Sequence, residues 1–470
     1  MRKLVESLLI VLILGVGIVA FFWPQNKVNW KKHRAIIFES DDWGMAAWTP
    51  DSAAYKRLLP LGVYAGPEGK DYALSTLENA RDLDRLFSLL ESFKGADGRH
   101  PMFQANYVLA TPDYPLIERN GFREFFYTSF WDFPERWKRP GLREKTLEGI
   151  DRAVWWPEYH GFSHISIPHW LSLLREGNEN ALAAFTEQSF VSGEHSVPPE
   201  YSPLVPDSTR ARYIKEGLLR FEEVFRMMAH STVAPDLVWD SFAENYLCRN
   251  GIRVIQSKWE EPIPAYTLPL RIKKLLKRNI QKWVFRDRFY PKRNVNFEPA
   301  GSFEAGSIQG VNQAENLIRN CWDKGEPAVV GTHRYNYVSL DFMFREAGFR
   351  QLRVLLARLT KSNDVIFLTD TELHQLTRTG TSILPFGRGD RSLNPDLLLR
   401  NYTGHAVKKH VRIMPIAATG QKVRFSLVSP RSGEIVPGRQ NVARNGTVSV
   451  NLPEGEWIFQ LNPDVHRDMR

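Results

Sequence analysis

Apolar residues recur along this chain in distinct rhythms, and each rhythm predicts a different kind of element. Short apolar runs at 34–38, 102–109, 232–234, 253–256, 296–298, 328–331 and 365–368 each read as a buried strand bounded by polar or turn residues. Helical spacing fills stretches between them, including 168–175, 239–249 with Gly251 as its terminator, and 342–359. Buried strands alternating with helices predict a parallel sheet, and their number suits an α/β fold: an irregular seven-stranded (β/α) barrel over 34–376. From 377 to 395 Gly, Ser, Thr and Pro dominate without periodicity, so a linker is expected there. Beyond it the pattern becomes apolar–polar alternation at 411–413, 423–428, 447–452 and 457–461, with turns at 430–433 and 453–455. That predicts a C-terminal all-β sandwich over 396–470.

The first 25 residues follow another pattern. Arg2 and Lys3 precede an uncharged apolar run from 8 to 23, a little short for a spanning helix of about 20 residues. Bulky residues at 20–24 replace the small ones that a signal-peptide cut requires. A signal anchor over 1–25 is therefore expected, an N-terminal transmembrane helix holding a single-pass protein in the cell membrane with its catalytic part outside the cytoplasm. Lys27, Lys31, Lys32 and Arg34 just after the span pull the other way under the positive-inside rule.

Composition sharpens this picture in three places. Hydrophobic residues at 43% and charged residues at 24% exclude a disordered body. Aromatics at 12%, with 14 Trp, fit either a large aromatic core or flat surfaces for stacking sugars. Part of the net charge of +9 is concentrated in 271–288, where Lys273, Lys274, Lys277, Arg278, Lys282, Arg286 and Arg288 alternate with apolar residues at helical spacing. This basic amphipathic helix either covers the core as a solvated face or meets anionic lipid headgroups or an acidic glycan. A basic balance alone is no nucleic-acid signature, and no nucleic-acid partner is expected. The two cysteines, Cys248 and Cys321, stand in no metal or redox spacing.

The candidate chemistry sits at strand ends. Asp41 and Asp42 follow the first strand, at the carboxyl end where a parallel barrel builds its active site. Adjacent carboxylates repel unless a cation or proton intervenes; a solvated turn is the plainer reading. His160 and His164 are four apart, a spacing that on a helical turn puts both rings on one face to share a divalent ion. His169 points elsewhere at that spacing. His333 follows the strand at 328–331 in a polar cluster with Arg334 and Asn336.

The order of these groups resembles the NodB-type polysaccharide deacetylases, within the glycoside hydrolase/deacetylase barrel superfamily. The family's Thr-Phe-Asp-Asp-Gly corresponds to Ser40-Asp41-Asp42-Trp43-Gly44 with its neighbours, and its His-Ser/Thr-x-x-His to 160–164. A late strand-end histidine corresponds to His333. The resemblance spans about 34–376 and implies a metal held by Asp42, His160 and His164, with Asp41 as general base and His333 as general acid. It also implies a divalent cation, zinc first for two imidazoles and a carboxylate, and a polysaccharide substrate. Trp43, Glu298, Arg334 and Asn336 are the expected substrate contacts. The chain departs from the family where Trp43 displaces a Gly, where Gly161 replaces Ser or Thr, and where the arginine that steadies the base is missing from Ala234-Pro235. Arg293 and Arg334 are the candidates for that arginine. The expected reaction is removal of N- or O-acetyl groups by a metal-dependent hydrolase. The alternatives are glycoside hydrolysis, with Glu158 or Glu298 as a catalytic carboxylate, and a catalytically inactive, membrane-tethered glycan-binding protein.

Overall fold

The computed structural model describes residues 27–64, 72–190, 197–256, 288–300, 309–386, 396–413 and 420–461. The expected anchor over 1–25 and the basic segment up to residue 287 lie outside them. Among the described residues no helix is long and apolar enough to cross a membrane.

Eight parallel strands form the first sheet: β1 (Arg34–Trp43), β2 (Phe103–Tyr107), β3 (Trp155–Tyr159), β4 (Ser231–Val233), β5 (Val254–Gln256), β6 (Val295–Asn296), β7 (Ala328–His333) and β8 (Val365–Phe367). The hydrogen-bonded path runs β5-β4-β3-β2-β1-β7-β6, and β8 pairs with the start of β1. The sheet curls into a half-barrel. Its edges, β5 and β6, have three and two residues, too few to close a backbone ladder, and the side chains of Arg293 and Gln256 span the gap.

β3 is the strand that the apolar pattern misses, because Pro157 interrupts it. Pro has no N–H to donate, so a sheet tolerates it only where no partner needs that N–H. The N–H of His160 donates to Tyr107, so alternate positions face β2 and Pro157 faces the other side. There β4 pairs with β3 only at Tyr159.

Strand residues alternate between two interiors. Ile36, Phe38, Phe103, Ala105 and Trp155 join the core beneath the helices. The helix Ala80–Glu91 covers that face with Leu83, Leu86, Phe87 and Leu90, and its start is fixed by the Asn79–Asp82 capping box. Glu39, Asp41, Gln104, Asn106 and Glu158 project into the curl, all buried. They form a hydrogen-bonded column there instead of an aliphatic filling.

The C-terminal unit confirms an all-β architecture. β9 (Thr381–Phe386), β10 (Asp396–Asn401), β12 (Lys422–Val428), β13 (Ile435–Asn441) and β15 (Gly455–Leu461) form one antiparallel sheet; β11 (Val407–Arg412) and β14 (Thr447–Leu452) form a second. Val423, Phe425 and Leu427 share a core with Val448, Val450 and Leu452. The expected linker is shorter than composition suggested. The helix Asp370–Thr379 runs into it, stops at Gly380 in the left-handed region (φ 73°), and β9 follows at once. Thr and Ser suit a strand paired with β10 as well as they suit a loop. Arg400, on β10, is buried in the half-barrel, where it reaches Asp97 at 2.7 Å and Glu372 at 3.0 Å. Cys248 and Cys321 are both buried and form no disulfide.

Candidate active site

β1 ends in a break of register. Its pairing with β2 slips between Ser40 and Trp43, and Asp42 adopts φ 72°. Such a conformation is uncommon for a residue with a Cβ. It turns the two adjacent carboxylates into different neighbourhoods.

Asp42 faces the histidines. Its Oδ1 lies 3.3 Å from Nε2 of His160 and 3.7 Å from Nε2 of His164. One ligand atom from each of the three residues lies within 4.8 Å of the others. Nδ1 of His160 is 3.0 Å from the Val233 carbonyl, which can only accept, so Nδ1 carries a proton and Nε2 is the nitrogen turned toward Asp42. Burial opposes charge on this ring, but the Asp42 and Asp41 carboxylates raise its pKa. Burial opposes ionisation of Asp42, but the His160 hydrogen bond and the surrounding imidazoles outweigh it and hold its pKa down at about 2. Burial lowers the pKa of His164, which favours the neutral ring that a metal needs.

The two histidines do not share a helical turn. Residues 160–164 form a bend in which Gly161 (φ 98°) and His164 (φ 69°) both take left-handed conformations. Buried Glu200 organises it: its carboxylate accepts from the backbone N–H groups of Phe162, Ser163 and His164 at 3.1, 2.8 and 3.0 Å. A Cβ at position 161 would come within 2.9 Å of Oε2 of Glu200, so the Ser or Thr of the family pattern does not fit here.

Asp41 faces the column. Arg293 donates to both its oxygens, at 2.6 and 2.7 Å, and Asn106 adds a bond of 2.7 Å. Burial opposes its ionisation, yet the Arg293 charge and hydrogen bonds prevail and hold the carboxyl well below the usual range. Arg293 is thus the arginine that steadies the expected base. It also reaches Glu39 and Gln256.

His333, in register with Asp41 across β1 and β7, presents Nε2 3.7 Å from Oδ2 of Asp41. Glu298 binds its Nδ1 at 2.6 Å. Burial disfavours the charged ring, but Glu298, Asp41 and Asp42 raise its pKa to about 9.

The expected substrate contacts need correction. Trp43 is fully buried, edge-on to Trp155 at 4.5 Å, with its indole N–H on Ser40; it is a core residue because the register break rotates it inward. Arg334 is buried on Glu78 and the Met45 carbonyl, both at 3.0 Å. Glu78 in turn accepts from the N–H of Gly44, so the pair braces the loop after β1. Asn336 is buried between Glu298, the His333 carbonyl and the Ala300 N–H. Glu298 is spent on His333. The half-buried rings of Tyr72 and Trp48 stand beside the site instead, stacked 5.0 Å apart, with Tyr72 edge-on to His333 at 6.0 Å. Glu158, a carboxylate considered for glycoside hydrolysis, accepts from the backbone N–H groups of His230 and Ser231 at 2.9 Å. It is bound at the amino end of β4, away from the metal ligands.

No family model matches the chain, and no curated protein matches it. Solved structures do. The probable polysaccharide deacetylase from Pseudomonas aeruginosa PAO1 is similar at 9% identity over 74% of this chain and 93% of that one, with a TM-score of 0.39. The catalytic domain of peptidoglycan N-acetylglucosamine deacetylase from Eubacterium rectale ATCC 33656 is similar at 10% identity over 72% and 88%, with a TM-score of 0.30. Puue allantoinase is similar at 8% identity over 74% and 92%, with a TM-score of 0.39.

Proposed function

We propose that the chain is a metal-dependent deacetylase acting on N- or O-acetyl groups of a polysaccharide at the carboxyl end of the half-barrel. The observation that carries this reading is the convergence of Asp42, His160 and His164, with Asp41 and His333 flanking them. The donor set fits a divalent cation, zinc first: a carboxylate held ionised, one imidazole fixed by Val233 in the right tautomer, and a second kept neutral by burial. Asp42, His160 and His164 would hold the ion.

Bound there, such an ion supplies Lewis acidity, polarising an acetyl carbonyl and easing loss of a proton from water. Asp41 is held ionised in one orientation and accepts that proton. His333, charged at neutral pH, donates to the departing amine or alkoxide. Its Nε2 lies 3.7 Å from Asp41. Tyr72 and Trp48 offer an aromatic surface to a sugar ring.

Elemental analysis of the purified chain, followed by acetate and reducing-end assays on a panel of acetylated glycans, tests the reading. Stoichiometric divalent metal with acetate release is expected. Reducing ends without acetate would replace it with glycoside hydrolysis, which nothing at the rim favours now that Glu158 is bound elsewhere. The apolar run at 8–23 supports a membrane tether, and we place the half-barrel outside the cytoplasm as part of this proposal. Alkaline extraction of membranes and protease accessibility in intact cells test that placement.

A further inference from the structure

A second concave site lies at the opposite end of the half-barrel. His230 and Arg253 immediately precede β4 and β5, whereas Asp42 lies at the carboxyl end of β1 and His160 and His164 follow β3. In a parallel sheet these are opposite poles. A cavity of about 380 Å³ opens there between the two structural units. The half-barrel contributes His230, Arg253, His374 and Arg378, and the C-terminal unit contributes Ile383 of β9 and Lys409 of β11.

The charge balance of this cavity is one-sided. Three fixed cations and two imidazoles line it, and no acidic side chain does among the described residues. Lys409 donates to the neutral Thr381 hydroxyl at 2.7 Å, and Arg253 donates to the carbonyls of Cys248 and Ile252 at 2.7 and 2.9 Å. Neither bond neutralises charge. Nε2 of His230 lies 3.2 Å from Nδ1 of His374, which is itself buried. Like charges gathered in a concave, part-buried site repel one another and cost stability unless an anion joins them. Burial lowers the proton affinity of Lys409, the cost that a bound anion would offset. Elsewhere this chain pairs its buried cations closely, as Arg293 with Asp41 and Arg400 with Asp97 and Glu372.

We propose that this pole binds a small, multiply charged oxyanion, such as a phosphate ester or a polycarboxylate, held between the half-barrel and the C-terminal unit by Arg253, Arg378 and Lys409. The site is separate from the deacetylase centre and stands whether or not that reading holds. Its ligand joins residues of both units, so binding couples them.

Titration calorimetry with pyrophosphate, inorganic phosphate and citrate on the full chain tests the proposal. Saturable binding is expected, weakening as salt rises. R378Q and K409Q should each weaken it about tenfold, as expected for loss of one charge-assisted hydrogen bond, with unfolding temperatures close to the parent's. H164A, which removes a metal ligand, should bind the same anions unchanged. No saturable binding of any of the three anions up to about 10 mM, a range that spans weak millimolar sites, would overturn the proposal. So would binding that H164A abolishes, or binding that R378Q and K409Q leave intact. A preference for pyrophosphate over citrate assigns a phosphoryl ligand, and the reverse a polycarboxylate.

Discussion

Arg293 holds Asp41 by both carboxylate oxygens, at 2.6 and 2.7 Å, although 252 positions separate them in the chain. The fork orients the expected base and keeps it ionised in a buried site. Arg293→Lys retains charge but loses the second prong. We expect kcat for acetate release to fall about 100-fold, within the range for a mispositioned proton-transfer group. Arg293→Ala leaves Asp41 buried without its cation and should destabilise the fold by about 3–5 kcal/mol. Denaturant unfolding beside the activity assay separates the two effects.

Metal should stabilise the folded chain through the three ligands alone. Zinc added at about 1,000 times its dissociation constant contributes about 4 kcal/mol, visible as a raised unfolding temperature. Asp42→Ala and His164→Ala should show no such rise and no bound zinc by elemental analysis. A retained rise in both would show that the ion binds elsewhere.

Glu200 touches no expected ligand atom, yet it fixes the bend that carries His160 and His164. Glu200→Ala removes the acceptor of three backbone N–H bonds and should weaken metal affinity by about 10–100-fold, as loss of a supporting residue typically does. Saturating zinc should recover most activity. Glu200→Gln keeps one acceptor oxygen and should fall between. Competition with a chelator measures all three.

The His333 ring gives a signed pH dependence. Its pKa is raised to about 9 in the fold, above the value of about 6.5 in an unfolded chain. Its stabilising contribution is therefore complete below about pH 6.5 and is lost as pH rises toward 9. Glu298→Gln removes the bond and much of the attraction that raise it, so the unfolding temperature of the metal-free variant should vary less between pH 6 and 9 than the parent's. The alkaline limb of deacetylation should move to lower pH in the same variant.

Arg400 joins the two units from inside, with no exposed surface, against Asp97 and Glu372, which are fully buried too. Arg400→Ala leaves Asp97 buried without its cation, while Glu372 keeps Arg99 at 2.9 Å, and should cost about 3–5 kcal/mol. Calorimetry should then show two transitions where the parent gives one.

Motif order carried the metal ligands: Asp42 stands at the end of a strand that periodicity reveals, whereas His160 and His164 were legible only by their spacing. Their local geometry was not legible: a four-residue spacing reads as a helical turn, and the left-handed bend at Gly161 and His164 depends on Glu200, 36 positions beyond His164. Trp43 read as a sugar contact, since its inward turn follows from a register slip that no local pattern encodes. Pro157 hid β3 for a different reason: a proline forbids a strand only where a neighbour needs its N–H, and neighbours are invisible in one dimension. Arg293 was one of two candidates for the arginine that steadies the base, and only the fold distinguished it from Arg334.

The hydrogen-bonded column inside the curl acts as a gauge of strand stagger. Asn106 donates both to Asp41 and to Gln256, and Gln256 passes the chain to Ser231 and thence to Asp370. Sliding β2 by one residue would point Gln104 and Asn106 into the helices and cost Asp370, Asp41 and Gln256 a partner each. An aliphatic filling would tolerate small slips by repacking. This one admits a single alignment, so the distances at the rim inherit their accuracy from amides and hydroxyls buried well below it.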